Sequence, residues 1–197
     1  MTDDQTTPTW LKHLPNQLTI GRIAAVPLIL VLYPLDFFAL NIICGFLFLI
    51  AALTDYLDGW LARRYNVITN VGALLDPIAD KMLVVAGLIV LVHANSDRTF
   101  FPWLAGTLLC RDIGISALRL IALEKKVRVP VNQFGKWKTV AVDTSVFCLL
   151  VNHDLFGLPV IMVGWISLWV GLVLSLYSAY LYVTGFLENT KDISFSD

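Results

Sequence analysis

Four aspartates crowd into one stretch of an otherwise apolar chain, Thr54–Lys81, which reads TDYLDGWLARRYNVITNVGALLDPIADK. Asp55 and Asp58 are three residues apart, and Asp76 and Asp80 are four apart. On helices either spacing puts both carboxylates of a pair on one face. Like charges so close raise each other's pKa values unless cations intervene. Hard divalent ions such as Mg²⁺ or Mn²⁺ take oxygen ligands and keep positions open for phosphate oxygens. Two such ions would form a clamp for an anionic group undergoing displacement.

The neighbouring residues suit the same chemistry. Gly59 and Gly72 lower helix propensity but let a bulky ligand or a second helix approach the backbone. Arg63 can reach a phosphate as a forked donor. Pro77 is expected in the first turn of its helix, where a missing N–H is tolerated. The bland alternative is that the aspartates cap helices and pair with Arg63, Arg64 and Lys81.

What must position these residues is a bundle of helices in lipid. Of 197 residues, 57% are hydrophobic and only 15% charged, against about 25% charged in soluble domains. A globule of this size cannot hide so much apolar surface from water. Runs near the length of a bilayer crossing predict six spans: Leu18–Leu35, Phe37–Leu57, Ile78–Val92, Trp103–Leu123, Thr139–Val151 and Val160–Leu187. The third and fifth are short and should extend into neighbouring polar residues. No stretch alternates with period two over ten residues, which argues against a β-barrel. The expected fold is all-α: a six-helix membrane domain over residues 18–187, between a tail at 1–17 and a tail at 188–197. Thr9–Leu14 is expected to form a short interfacial helix.

The net charge of −1 conceals an asymmetry. The first and fifth inter-helix loops hold no Lys or Arg, and the third holds only Arg98. The second holds Arg63 and Arg64; the fourth holds Lys125, Lys126, Arg128, Lys136 and Lys138. Short basic loops stay inside, so both termini and the aspartates are expected on the cytoplasmic side of the membrane, where the cations also meet anionic lipid heads. The start, with Asp3 and Asp4, does not read as a cleavable signal peptide. Cys44, Cys110 and Cys148 lie scattered in apolar runs and are expected buried, with neither a disulfide nor a zinc site.

A second group of intramembrane charges is Arg111, Asp112 and Arg119 in the fourth span. It reads either as a pocket for an anionic ligand, with Asp112 orienting an arginine, or as an internal pair holding the bundle together. Lys136 and Lys138 could reach the same anion or could anchor the chain beside interfacial Trp137.

The pattern D-x-x-D-G-x-x-A-R followed by G-x-x-x-D-x-x-x-D, met by Asp55, Asp58, Gly59, Ala62, Arg63, Gly72, Asp76 and Asp80, resembles the signature of the CDP-alcohol phosphatidyltransferases. The resemblance implies a six-helix enzyme, usually a homodimer, that moves a phosphatidyl group from a CDP-linked donor to an alcohol and releases CMP. It also implies that Asp55, Asp58 and Asp76 are metal ligands. Asp80 would be the general base and would also touch a second metal, and Gly59, Ala62, Arg63 and Gly72 would line the CDP pocket. Pro15-Asn16-Gln17-Leu18-Thr19-Ile20-Gly21-Arg22 is similar to the P-N-x-L-T-x-x-R start of the branch that makes phosphatidylglycerophosphate. Arg111-Asp112 with Ser116–Arg119, followed by Gly135–Thr139, resembles the same branch.

By that likeness Asn16, Thr19 and Arg22 would sit near the nucleotide, although Thr19 could equally cap the first helix. CDP-diacylglycerol and glycerol-3-phosphate are then the expected substrates, with Arg111, Arg119, Lys136 and Lys138 on the acceptor phosphate. Sister transferases of the cardiolipin synthase or phosphatidylinositol phosphate synthase type remain alternatives, and so does an ion or proton transporter. Nucleic-acid binding finds no support. His13, His93 and His153 read as solvated or interfacial, and Trp10, Trp103, Trp137 and the Phe100–Phe101 pair as interface anchors.

Overall fold

A computed structural model describes residues 9–65, 70–125, 133–155 and 157–194, with side chains for 17–54, 78, 79, 81–125, 133–155 and 157–190. Among the described residues the regular structure is helical, apart from one isolated bridge between Leu155 and Leu158. The helices are α1 (Thr9–Leu32), α2 (Phe38–Tyr65), α3 (Asn70–Ala94), α4 (Phe100–Glu124), α5 (Gln133–Val151) and α6 (Val160–Ser194), with a 3-10 turn at Tyr33–Leu35. As expected, the two short apolar runs extend into polar sequence, α3 back to Asn70 and α5 back to Gln133.

Three local expectations need correction. Thr9–Leu14 is helical but forms no separate element, because α1 runs unbroken from Thr9 through Pro15 into the first apolar run. Thr19 therefore lies in the helix interior and cannot be its N-cap. Pro77 lies beyond the first turn of α3, which begins seven residues earlier at Asn70. It removes the N–H that would bond the Ala73 carbonyl, a loss that membrane helices accommodate.

Gln17–Leu35 and Val160–Thr190 are each long and apolar enough to cross a bilayer, and Phe38–Thr54 and Lys81–Ala94 are shorter apolar stretches. In α4 the Arg111–Asp112 pair interrupts the apolar run, and in α5 Lys136, Lys138 and Asp143 do so. Outward-facing apolar side chains are common: Val31, Trp103, Leu120, Leu123 and Val173 are all at least 64% exposed. Large apolar side chains exposed in such number suit a hydrocarbon solvent better than water.

The chain divides into two compact units. The first comprises Met1–Leu91 with Leu150–His153. Its core pairs α1 with α2. Thr19, Arg22, Val26 and Ile29 of α1, continued by Tyr33 of the 3-10 turn, form one buried stripe, and Asn41, Cys44, Phe48 and Ala51 that of α2. Both stripes step by three and four residues, the spacing of a helix–helix seam. The turn between them puts Asp36 in the left-handed region (φ 52°), where its carboxylate accepts from Asn41 Nδ2 at 3.4 Å. His153, expected to be solvated or interfacial, is half-buried and packs its ring 4.5 Å from that of Phe38.

The second unit comprises Val92–Leu149 and Asp154–Asp197. Here α4 and α6 run parallel, in a register held along their length. Phe101 meets Trp165 edge-on at 5.6 Å, Arg111 bonds the Ser175 carbonyl 64 residues on, and Ala122 packs with Phe186. Phe101 is thus fully buried, not an interface anchor, whereas Phe100 lies partly exposed beside Trp165 and Trp169. Helix α5 packs antiparallel to α6 through two glycines. A Cβ on Gly171 would meet Val142 Cγ2 at 2.9 Å, and one on Gly164 would meet Leu149 Cδ2 at 2.9 Å. The bare backbone lets the helices approach this closely. Cys44 and Cys148 are buried as expected; Cys110 is exposed.

Candidate active site

The aspartate motif falls on two helices of the first unit. Asp55, Asp58, Gly59, Ala62 and Arg63 lie in the second half of α2, and Gly72, Asp76 and Asp80 in the first half of α3. Because both segments are helical, the spacings of three and four put each aspartate pair on one helix face. Four carboxylates are a hard-oxygen donor set suited to Mg²⁺ or Mn²⁺. Among the described side chains no group of three or more His, Cys, Asp or Glu could hold a metal. The side chains of these four aspartates, with those of Asn16, Gly59, Ala62, Arg63 and Gly72, lie outside the described residues. Thr19 and Arg22 are described, one turn apart on α1, at 0% and 1% exposure.

The basic cluster lies in the second unit. Arg111 on α4 donates through Nη1 to its neighbour Asp112 Oδ1 at 2.8 Å and through Nε to the Ser175 carbonyl of α6 at 2.8 Å. Its Nη2 donates to Ser178 Oγ, and that hydroxyl donates to the Ser175 carbonyl at 3.2 Å. From α5, Lys138 Nζ donates to both oxygens of Asp112, at 2.9 and 2.7 Å. Ser116 Oγ bonds the Asp112 carbonyl at 2.7 Å. Two cations thus share one carboxylate and leave the cluster with a net positive charge. The Arg111 and Lys138 side chains are only 13% and 11% exposed, and that of Asp112 is 29% exposed. Such desolvated, charge-assisted bonds are stronger than surface pairs.

Of the four cations expected on an acceptor phosphate, Arg111 and Lys138 are therefore brought together by Asp112. Arg119 lies about 12 Å further along α4 at 1.5 Å per residue, its guanidinium carbon 5.9 Å from the centre of the Tyr182 ring. Lys136 is exposed at the start of α5. Arg111 also borders an open cavity of about 720 Å³ along α4, lined by Trp103, Gly106 and Cys110 among others.

Sequence reasoning missed Ser175 and Ser178. A signal was present: Gly164, Gly171, Ser175 and Ser178 recur at seven, four and three residues, a small-residue stripe that in membrane helices marks a contact face. It also passed over Asp143, a half-buried carboxylate within α5.

The family model of the CDP-alcohol phosphatidyltransferases matches residues 12–177. The chain belongs to the CDP-alcohol phosphatidyltransferase family. A relative from Rickettsia bellii (strain RML369-C), named CDP-diacylglycerol–glycerol-3-phosphate 3-phosphatidyltransferase, is 37% identical over 174 residues, which cover 87% of this chain and 93% of the relative. One of the same name from Bacillus subtilis (strain 168) is 35% identical over 191 residues, 91% of this chain and 97% of the relative. A cardiolipin synthase (CMP-forming) from Oryza sativa subsp. japonica is 39% identical over 162 residues, 76% of this chain but 49% of that protein. Within this CDP-alcohol phosphatidyltransferase, the matched range takes in the aspartate motif and the whole Arg111–Asp112–Lys138 cluster, with Ser175.

Proposed function

We propose that the chain is a CDP-diacylglycerol–glycerol-3-phosphate 3-phosphatidyltransferase, an integral membrane enzyme that makes phosphatidylglycerophosphate and CMP. The observation that carries this reading is its match to relatives of that name over 87–91% of its own length and 93–97% of theirs. The motif on α2 and α3 supports the chemistry, and the cationic cluster on α4 and α5 supports an acceptor that carries a phosphate.

In this reading Asp55, Asp58 and Asp76 hold divalent metal, Mg²⁺ or Mn²⁺, with Asp80 beside it. When bound, the metal neutralises charge that develops on the CMP phosphate as it leaves. Asp80 takes the proton from the primary hydroxyl of glycerol-3-phosphate. The hydroxyl oxygen forms a bond to the phosphorus on the diacylglycerol side, the bond from that phosphorus to the bridging oxygen breaks, and CMP departs with the electron pair. Arg63, with Gly59, Ala62 and Gly72 leaving the backbone open, binds the CDP moiety, and Asn16 and Thr19 lie near it. Arg111, Arg119, Lys136 and Lys138 bind the acceptor phosphate. The termini and the site belong on the cytoplasmic side of the membrane, and the working unit is a homodimer.

The test is CMP release by the purified protein from CDP-diacylglycerol with Mg²⁺ or Mn²⁺ across a panel of acceptors. Glycerol-3-phosphate should be strongly preferred. The Oryza relative favours one second reading, in which the acceptor is phosphatidylglycerol; preference for that lipid in the panel would establish it. No CMP from any acceptor would refute both.

A further inference from the structure

Arg111 is held from two sides, and only one side has an evident electrostatic purpose. Asp112 supplies charge to Arg111 and Lys138 alike. The contact with α6 supplies none: Ser175 offers a carbonyl and Ser178 a hydroxyl, both from residues that are at most 4% exposed. Their contribution is geometric. Nε, Nη1 and Nη2 each spend one N–H, in three directions, on the Ser175 carbonyl, Asp112 and Ser178. A planar guanidinium bonded at all three nitrogens can neither rotate about its long axis nor slide along it. Among the described residues, one N–H on each of Nη1 and Nη2 is left over, and Lys138, with two of its three N–H groups on Asp112, has a third.

We infer that Ser178 is a positioning residue for the acceptor site: with the Ser175 carbonyl it fixes the Arg111 fork so that the spare donors of Arg111 and Lys138 meet the phosphate of the acceptor. The inference rests on the reading above that Arg111 binds that phosphate. Three spare donors and a net positive charge suit the three terminal oxygens of a phosphate monoester. A preset fork also spares the rotamer entropy that a free arginine loses on binding. The hydroxyl of Ser178 is the right size for this role. It sits on the small-residue stripe of α6, where a longer polar side chain would hold the helices apart.

The test measures KM for glycerol-3-phosphate and for CDP-diacylglycerol, kcat and thermal unfolding on the full-length protein in detergent, for Ser178→Ala, Ser178→Thr and Arg111→Gln. Ser178→Ala should raise KM for glycerol-3-phosphate about tenfold, the order expected for one hydrogen bond to a charged group. KM for CDP-diacylglycerol, kcat and the melting temperature should stay close to those of the parent. Ser178→Thr, which keeps the hydroxyl, should restore KM. An unchanged KM in Ser178→Ala, a parallel rise in both KM values, or loss of folding would each overturn the positioning role. The underlying reading fails separately: if Arg111→Gln leaves KM for glycerol-3-phosphate unchanged, Arg111 does not bind the acceptor. If Arg111→Gln raises it while Ser178→Ala does not, only the positioning role falls.

Discussion

The ammonium of Lys138 donates to both carboxylate oxygens of Asp112, at 2.9 and 2.7 Å, and so ties α5 to α4 at a point where both side chains are largely withdrawn from solvent. With Arg111 on the same carboxylate, removing the negative charge strands two cations. Breaking a fully buried arrangement from one side costs about 3–5 kcal/mol; with Asp112 29% exposed the cost here should fall below that range. Asp112→Asn should therefore lower thermal stability in detergent. The double variant Asp112→Asn with Lys138→Gln should be less destabilised than the two single losses summed, by about 0.5–3 kcal/mol. Strict additivity would mean that the pair does not interact.

The two glycines of the α5–α6 seam should behave differently. At Gly171 an added methyl meets Val142 Cγ2 at 2.9 Å and the Val142 backbone nitrogen at 3.4 Å. A β-branched valine in a helix has one favoured rotamer and cannot turn aside. At Gly164 the methyl meets Leu149 Cδ2 and Cγ, both at 2.9 Å, and Cys148 Cβ at 3.0 Å; Leu149 can change rotamer, but the Cys148 Cβ is fixed by its backbone. Gly171→Ala should cost about 1–3 kcal/mol by overpacking, and Gly164→Ala more, because three atoms lie within 3.0 Å of its added methyl against one at Gly171. Equal melting shifts for the two would mean that the seam yields as a whole.

The aspartate motif predicts a clean separation of binding from turnover. Asp80→Asn keeps an oxygen ligand but cannot accept a proton near neutral pH. CMP release should vanish while CDP-diacylglycerol binding, followed by calorimetry or by protection against unfolding, persists with Mg²⁺ or Mn²⁺. Chelation of divalent ions from the unaltered protein should also abolish CMP release, and either ion should restore it. Full activity in Asp80→Asn would remove that residue from the role of base.

How far all this was legible in the sequence depends on the range of the interaction involved. Helix identity was legible, since long apolar runs leave little choice in a bilayer. So was the aspartate motif, whose spacing is local. The ends of elements were less so. Thr9–Leu14 joined α1 because the helix runs on through Pro15, and Pro77 likewise sits inside α3 and not in its first turn; prolines that commonly mark a helix start misplaced both ends. The partners of Arg111 were not legible. Asp112 is its neighbour, but Ser175 and Ser178 come from a helix 64 and 67 residues on, and serines and glycines in membrane helices are too common to name a partner. The parallel register of α4 and α6 makes that pairing inevitable once Phe101 is seated on Trp165, and nothing local encodes it.

Arg119 offers the last discriminating measurement, because it stands apart from the Asp112 cluster. It is exposed, and its guanidinium rests toward the Tyr182 ring at 5.9 Å with no ion pair among the described residues. An exposed cation–π contact contributes only about 0.5–1 kcal/mol, so Arg119→Ala should scarcely move the melting temperature. If Arg119 binds the acceptor phosphate, the same variant should raise KM for glycerol-3-phosphate about tenfold or more, as loss of a charge-assisted bond does, with little change in KM for CDP-diacylglycerol. Arg119→Lys should recover part of the loss, since the charge remains while the fork is gone. Equal effects on both substrates would instead assign Arg119 to the packing of α4 on α6, leaving Arg111, Lys136 and Lys138 to hold the acceptor.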